Sequence, residues 1–209
     1  MSNGSIKESF YKKPIEINDP NIRIGIISDT HIPDRHTCRE IDDINECIKE
    51  QFSEYVENEL KKVDLIIHCG DLTSKEVIEK LNELKSTKYK LILVKGNIDR
   101  YDPILSKIDL PQEYEFIVNG LKIGVIHGNT IEPRGDKLKL KYMALEKGWD
   151  VLISGHTHIP MIESVEGFDK TIMLLNPGSF TCPRIPLKTF IILDFENNKL
   201  NKIELKEVL

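Results

Sequence analysis

Asp, His and Asn recur along this chain in short groups whose side chains can hold cations. The groups are Asp29-Thr30-His31, Gly70-Asp71, Gly96-Asn97-Ile98-Asp99, His127-Gly128 and Gly155-His156-Thr157-His158. In extended chain, residues i and i+2 point to one side. Asp29 with His31, and His156 with His158, are therefore each expected to bring two donors to one spot. Carboxylate oxygen, imidazole nitrogen and amide oxygen form a mixed donor set. It suits manganese, iron, nickel, cobalt or zinc better than calcium, which takes oxygens. The donors Asp29, His31, Asp71, Asn97, His127, His156 and His158 exceed what one ion uses, so two ions sharing a bridging carboxylate are expected. Taken singly, each has a plainer reading: a lone Asp after a strand is usually a turn or cap residue, and Asn97 can shape a Gly-Asn turn. The series of five is what favours metal chemistry. No G-x-S-x-G elbow or P-loop competes with it.

Each group follows an apolar stretch, and in open α/β sheets ligands gather at the carboxyl ends of strands. Strands are expected at Ile22–Ser28, Leu65–Ile67 and Leu91–Val94. Between them, Ile41, Ile44, Ile48, Phe52, Val56 and Leu60 recur at helical spacing and predict one amphipathic helix. Thr73 with Glu76 predicts a capping box for a second. The first half thus reads β-α-β-α-β with parallel strands. In the second half, Asn119-Gly120 predicts a hairpin joining Tyr114–Val118 to Leu121–Ile126. A helix at Lys137–Lys147 and strands at Val151–Ser154, Ile172–Leu175, Thr189–Phe195 and Lys202–Lys206 follow. Each half is expected to supply one sheet of an α/β layered fold.

Residues 1–20 are polar, contain Pro14 and Pro20, and read as an N-terminal extension to a domain at 21–209. The net charge of −5 argues against a nucleic-acid partner, which needs a basic surface. No apolar run reaches the ~18–20 residues of a membrane span, and no signal-peptide h-region is legible. A cytoplasmic protein is the default expectation. Cys38, Cys47, Cys69 and Cys182 form no C-x-x-C pair, so neither structural zinc nor a disulfide is expected. His68 reads as a buried strand end and His36 as a loop residue. Asn176-Pro177-Gly178-Ser179 is either a turn or a phosphate-contacting rim, and Lys137, Lys139 and Lys141 form a solvated helix face.

D-x-H, G-D, G-N-x-D, H-G and G-H-T-H, in this order, resemble the calcineurin-like metallophosphoesterase superfamily, and the compact size resembles its small prokaryotic phosphodiesterase branch. The resemblance covers residues 22 to about 180. It implies a four-layer α-β-β-α sandwich of two mixed sheets. It further implies one metal on Asp29, His31, Asp71 and His158, and a second on Asp71, Asn97, His127 and His156, with Asp71 bridging. Asp99 would orient a ligand. The implied activity is phosphodiester hydrolysis by a metal-bridging hydroxide attacking phosphorus in line, with Asp71, Asn97 and His127 as the catalytic set. The two divalent ions would be manganese first, with nickel, iron, cobalt or zinc as alternatives. The implied partner is a small phosphate ester, and a homo-oligomer is compatible. The family often has His where this chain has Ile98, and H-G-H where it has His127-Gly128-Asn129; both differences bear on leaving-group protonation. The alternative is a weakly active or inactive scaffold like the retromer subunit of the same fold, against which the filled donor positions speak.

Overall fold

The computed structural model describes residues 10–33, 38, 41, 43–86 and 88–208. Its strands are β1 (Ile15–Ile17), β2 (Arg23–Ile27), β3 (Leu65–His68), β4 (Ile92–Leu93), β5 (Glu113–Val118), β6 (Leu121–Ile126), β7 (Val151–Ile153), β8 (Pro160–Glu166), β9 (Thr171–Pro177), β10 (Thr189–Glu196) and β11 (Lys199–Glu207). The α-helices are α1 (Ile44–Gln51), α2 (Glu54–Leu60), α3 (Lys75–Leu84) and α4 (Lys137–Lys147). One sheet runs β11-β10-β2-β3-β4 and the other β1-β5-β6-β7-β9-β8. Both are mixed: β2, β3 and β4 are parallel beside the antiparallel β10–β11 pair, and β6, β7 and β9 are parallel beside antiparallel β5 and β8.

Alternation along the strands builds the layers. Ile24, Ile26, Leu65 and Ile67 meet Phe116, Val118, Ile123 and Val125 between the sheets. The opposite-facing Ile27, Ile66 and Ile192 pack on Phe52, Val56, Val77 and Leu81 of the first helical layer. On the far side Leu152, Ile172 and Leu174 pack on Leu140 and Ala144 of α4. This is the four-layer α-β-β-α sandwich.

Several local expectations are corrected. The single helix over 41–60 divides at Phe52–Ser53. Phe52 leaves the helical region to stack on Phe180, with centroids 4.7 Å apart, and the Ser53 hydroxyl accepts the Val56 N–H to start α2. The Thr73–Glu76 capping box does not form. Thr73 sits at φ 66° and donates its hydroxyl to the Ile32 carbonyl at 2.9 Å, so α3 starts after Ser74. The halves do not each own a sheet, because β10 returns to pair antiparallel with β2. Strand β8, absent from the sequence reading, pairs along β9. The described part of the expected extension belongs to the fold: β1 pairs parallel with β5, and buried Phe10 bridges Leu91. Cys38 and Cys47 form a disulfide, contrary to the expectation of reduced thiols; their Cα atoms lie 5.6 Å apart because the turn at Cys38 packs on α1.

Candidate metal centre

The parallel registers Ile27↔His68 and His68↔Leu93, and Val125↔Ile153 across from them, bring five strand ends to one rim between the sheets. Hydrogen bonds between the loops then fix their heights. The Asp29 N–H donates to the Gly70 carbonyl at 3.1 Å, the His31 N–H to the Asp71 carbonyl at 3.2 Å, and the Gly155 N–H to the His127 carbonyl at 3.0 Å. From the other sheet, the His156 N–H reaches Asp29 Oδ2 at 2.9 Å. Two glycines permit the approach. A Cβ at Gly96 would collide with the Asp71 backbone nitrogen and Oδ1, and one at Gly155 with Ser28 Oγ.

Two buried groups of donors result: Asp29, His31 and His158, and Asp71, His127 and His156, the donor atoms of each lying within 4.8 Å of one another. In the first, His31 Nε2 and His158 Nε2 face each other at 3.3 Å, and Asp29 Oδ1 stands 3.2 Å from His158 Nε2. In the second, His127 Nε2 lies 3.2 Å from His156 Nδ1 and 3.1 Å from Asn97 Oδ1. Asp71 Oδ2 stands between the groups, 3.5 Å from His31 Nε2 and 3.4 Å from His127 Nε2. Thus all seven expected donors converge. Asp29 and His31 share a group as the spacing predicts, whereas His156 and His158, expected together, go to different groups. Asp29, His31, Asp71, His156 and His158 all have φ between 43° and 66°, so none is extended and the i, i+2 rule does not apply.

The donor set fits cations. His158 donates through Nδ1 to the Cys182 carbonyl at 2.6 Å and His127 through Nδ1 to the Cys69 carbonyl at 2.8 Å, which leaves Nε2 of each ring as the coordinating atom. Asp29 accepts Ser28 Oγ–H and the His156 N–H through Oδ2, while buried Oδ1 has no hydrogen-bond partner. Lone pairs thus converge at separations near the ~3–3.5 Å expected between ligands at zinc-like bond lengths.

The electrostatics agree. Burial pushes the Asp29 carboxyl up, but the His158 and His31 imidazoles outweigh it and hold the group well below the usual carboxylate range. Asp71 is lowered in the same way, its bond to His127 overcoming burial. Burial alone would depress His127, yet Asp71 and Asp29 raise it to about 9. His156 falls to about 4 through burial and the charges of His127 and Arg134.

Around the donors, Asp99 is fully buried and accepts the N–H groups of Asp71, Thr73 and Gly96 at 3.1, 2.9 and 2.8 Å. It positions Asp71 through the backbone, and burial raises its own carboxyl to about 6. Asn176 donates to the Gly155 carbonyl at 2.8 Å and to Thr157 Oγ1 at 3.1 Å, and Ser179 donates to the Asp29 carbonyl at 2.8 Å. The Asn176–Ser179 turn therefore buttresses the donor loops. Sequence reasoning missed Ser28, the Cys182 carbonyl and Thr181, whose hydroxyl donates to the Thr30 carbonyl in the first donor loop. Only the clustering of hydroxyls beside the motifs hinted at Ser28 and Thr181. His36 lies outside the described residues.

Residues 22–198 match the model of the calcineurin-like phosphoesterase superfamily domain. A probable metallophosphoesterase of Methanocaldococcus jannaschii is 44% identical over 174 residues, covering 83% of this chain and 76% of its own. Another from Methanothermobacter thermautotrophicus is 39% identical, covering 85% of this chain and 88% of its own. Among solved structures, Vps29 of Entamoeba histolytica complexed with zinc superposes at a TM-score of 0.65 with 23% identity, over 90% of this chain and 100% of its own. An archaeal phosphodiesterase superposes at 0.56 with 26% identity, over 89% and 99%. With the motif order, the layered fold and the converged donors, these matches show that the chain belongs to the calcineurin-like phosphoesterase superfamily.

Proposed function

We propose that this chain is a phosphodiesterase that works with two divalent transition-metal ions, manganese first among them. The observation that carries the reading is the position of Asp71 Oδ2, nearly equidistant from His31 and His127 and so shared by both donor groups. Asp29, His31, Asp71 and His158 would hold one ion, and Asp71, Asn97, His127 and His156 the other. Bound there, the ions supply positive charge to the phosphoryl oxygens and a nucleophile at neutral pH.

The chain's own residues set the geometry. Asp71 Oδ1 is tied to the Ile98 N–H at 2.9 Å, which aims Oδ2 between the groups. Asn97 and His127 face one point and would position the phosphate. Ile98 has no proton to give, and its side chain lines a cleft of about 590 Å³ with Pro33, Thr73, Tyr101 and Pro103. A leaving group seated there departs without help from residue 98. This favours diesters with good leaving groups over unactivated alkyl monoesters. The likeness to an archaeal phosphodiesterase supports the diester class.

The test is hydrolysis of bis(p-nitrophenyl) phosphate by metal-stripped protein to which manganese is returned. Activity should appear with metal, vanish with EDTA, and fall further in Asp71→Asn than in a variant of one unshared donor such as His156→Gln. Metal bound with no hydrolysis of any mono- or diester would favour the scaffold reading instead. Activity indifferent to EDTA or to Asp71→Asn would refute the two-ion assignment.

A further inference from the structure

Three donor loops continue beyond the metal centre into one cleft. Pro33 follows His31 by two residues, Thr73 follows Asp71 by two, and Ile98 follows Asn97 directly. All three line the cleft of about 590 Å³, and Tyr101, Asp102 and Pro103 form the rest of its lining among the described residues. The Ile98 N–H holds Asp71 Oδ1 at 2.9 Å, so the cleft begins beside the shared carboxylate. Two prolines, an isoleucine and a tyrosine thus face whatever departs from the phosphate. The other two lining residues are already engaged. The Thr73 hydroxyl donates to the Ile32 carbonyl at 2.9 Å, and Asp102 Oδ1 accepts the N–H groups of Ile104 and Leu105 at 2.9 and 2.6 Å.

Tyr101 closes the short 3-10 turn that starts at buried Asp99, yet it is 67% exposed. Its neighbour steadies it: the Arg100 guanidinium carbon lies 4.7 Å from the ring centre, and Nη2 donates to the hydroxyl at 2.5 Å. A ring held in place offers a stacking face at small entropic cost. The chemistry of departure points the same way. Ile98 supplies no proton, which favours an oxygen that leaves as an anion. A phenolate, whose acid has a pKa of about 10, does so far more readily than an alkoxide, and a phenol is planar. Of the hydroxyl side chains that carry phosphate in proteins, only tyrosine is a phenol. We propose that this cleft seats the ring of a departing phenol against Tyr101, and that the substrate class is phosphodiesters of tyrosine side chains. This rests on the phosphodiesterase reading and names the departing group that it leaves open. Hydrolysis adds one water at phosphorus. The bond from phosphorus to the phenolic oxygen breaks with its electron pair on that oxygen, which takes a proton from solvent, and a phosphomonoester of the other alcohol remains. The exposure of Tyr101 leaves the cleft open to a residue carried on a peptide.

The experiment separates stacking from leaving-group acidity. Methyl phenyl phosphate is compared with methyl hexafluoroisopropyl phosphate, whose departing alcohol has similar acidity but no planar face. On manganese-loaded protein the KM of the phenyl ester should be about fivefold lower, the scale of one aromatic contact. Tyr101→Ala should bring the two KM values together, and Tyr101→Phe, which keeps the ring and loses the hydroxyl, should preserve their ratio. Metal content and circular dichroism confirm that both variants fold. The methyl phosphodiester of N-acetyltyrosinamide should be hydrolysed about a hundredfold faster than that of N-acetylserinamide, whose alkoxide lacks a general acid. Equal KM values in the unsubstituted protein, a preference that survives Tyr101→Ala, or one lost in Tyr101→Phe overturns the stacking while leaving hydrolysis standing. Equal rates for the tyrosine and serine diesters, or hydrolysis of bis(p-nitrophenyl) phosphate alone, overturns the tyrosine class. If bis(p-nitrophenyl) phosphate is not hydrolysed either, the phosphodiesterase reading falls and this one with it.

Discussion

His68 closes β3 without exposed surface and joins the loop of Asp29 and His31 to the loop of Asp71. Its Nδ1 accepts the Gly70 N–H at 3.1 Å. Its Nε2 meets Thr30 Oγ1 at 3.2 Å, and that hydroxyl donates on to the Leu72 carbonyl at 3.2 Å. Only the uncharged ring with its proton on Nε2 satisfies both neighbours, because a proton on Nδ1 would confront the Gly70 donor. Burial, outweighing the nearby carboxylates, lowers the ring from 6.5 to about 3. Replacing His68 with Leu strands a buried N–H at Gly70 and should cost ~1–3 kcal/mol at pH 8.

The same substitution removes a pH liability. Because the folded pKa is depressed, stability present above pH 6.5 is lost as pH falls towards 3: the unfolded chain takes up a proton that the folded chain refuses. Linkage puts this loss at about 2 kcal/mol by pH 5 and about 5 kcal/mol below pH 3. His68→Leu lacks it, so the gap between the two proteins should close, and even invert, between pH 8 and pH 5. Urea unfolding of metal-stripped protein in EDTA, followed by circular dichroism across that range, measures the gap directly, since groups common to both proteins cancel. A difference that stays constant with pH would refute the reasoning: His68 would then titrate in the folded protein as it does in the unfolded chain.

Three further outcomes are expected. Gly96→Ala forces a methyl onto the Asp71 backbone and carboxylate and should cost ~1–3 kcal/mol, together with retained metal, read by denaturation and by metal analysis of the purified variant. Manganese binding at pH 7 should release about one proton, because His127 without metal holds its proton up to about pH 9; calorimetry in buffers of different ionisation enthalpy counts it, and zero release would contradict the raised basicity of that ring. Ile98→His should raise turnover selectively for poor leaving groups, within the ~10²–10⁴-fold scope of a positioned general acid, and an equal change for aryl and alkyl esters at constant metal content would show that residue 98 does not face the leaving oxygen.

Much of this was legible in the sequence because the strands are β-branched runs ended by Asp, Gly or His, and donors placed after parallel strands collect at one rim. What failed were inferences that treated a segment as if its own periodicity decided its shape. Ile41 to Leu60 keeps helical spacing throughout, but the pocket beside Phe180 and the hydroxyl of Ser53 stop the helix at Phe52. Thr73 has the sequence of a cap and is taken instead by the Ile32 carbonyl and Asp99. Strand β8 alternates half-buried and exposed positions, yet Pro160 and Glu163 disguise it, and its partner β9 is what makes it a strand.

The pairing of His156 with His158 failed for a more instructive reason. Both residues lie in the left-handed region, as do Asp29, His31 and Asp71, a conformation that costs ~1–2 kcal/mol for a residue with a side chain. Five such residues in one site persist only if the surroundings over-determine them. The contacts that do so are visible: the N–H groups of Asp29, His31 and His156 are each bound by another donor loop, and that of Asp71 by Asp99. In Gly155–His158 the turn swings the two imidazoles to different sides, sending His156 towards Asp71 and His158 towards Asp29, while Asp29 and His31 stay in one group. Hydrogen bonds among the loops set which donors share a site. The strain is borne by the same backbone contacts that tie the two sheets together.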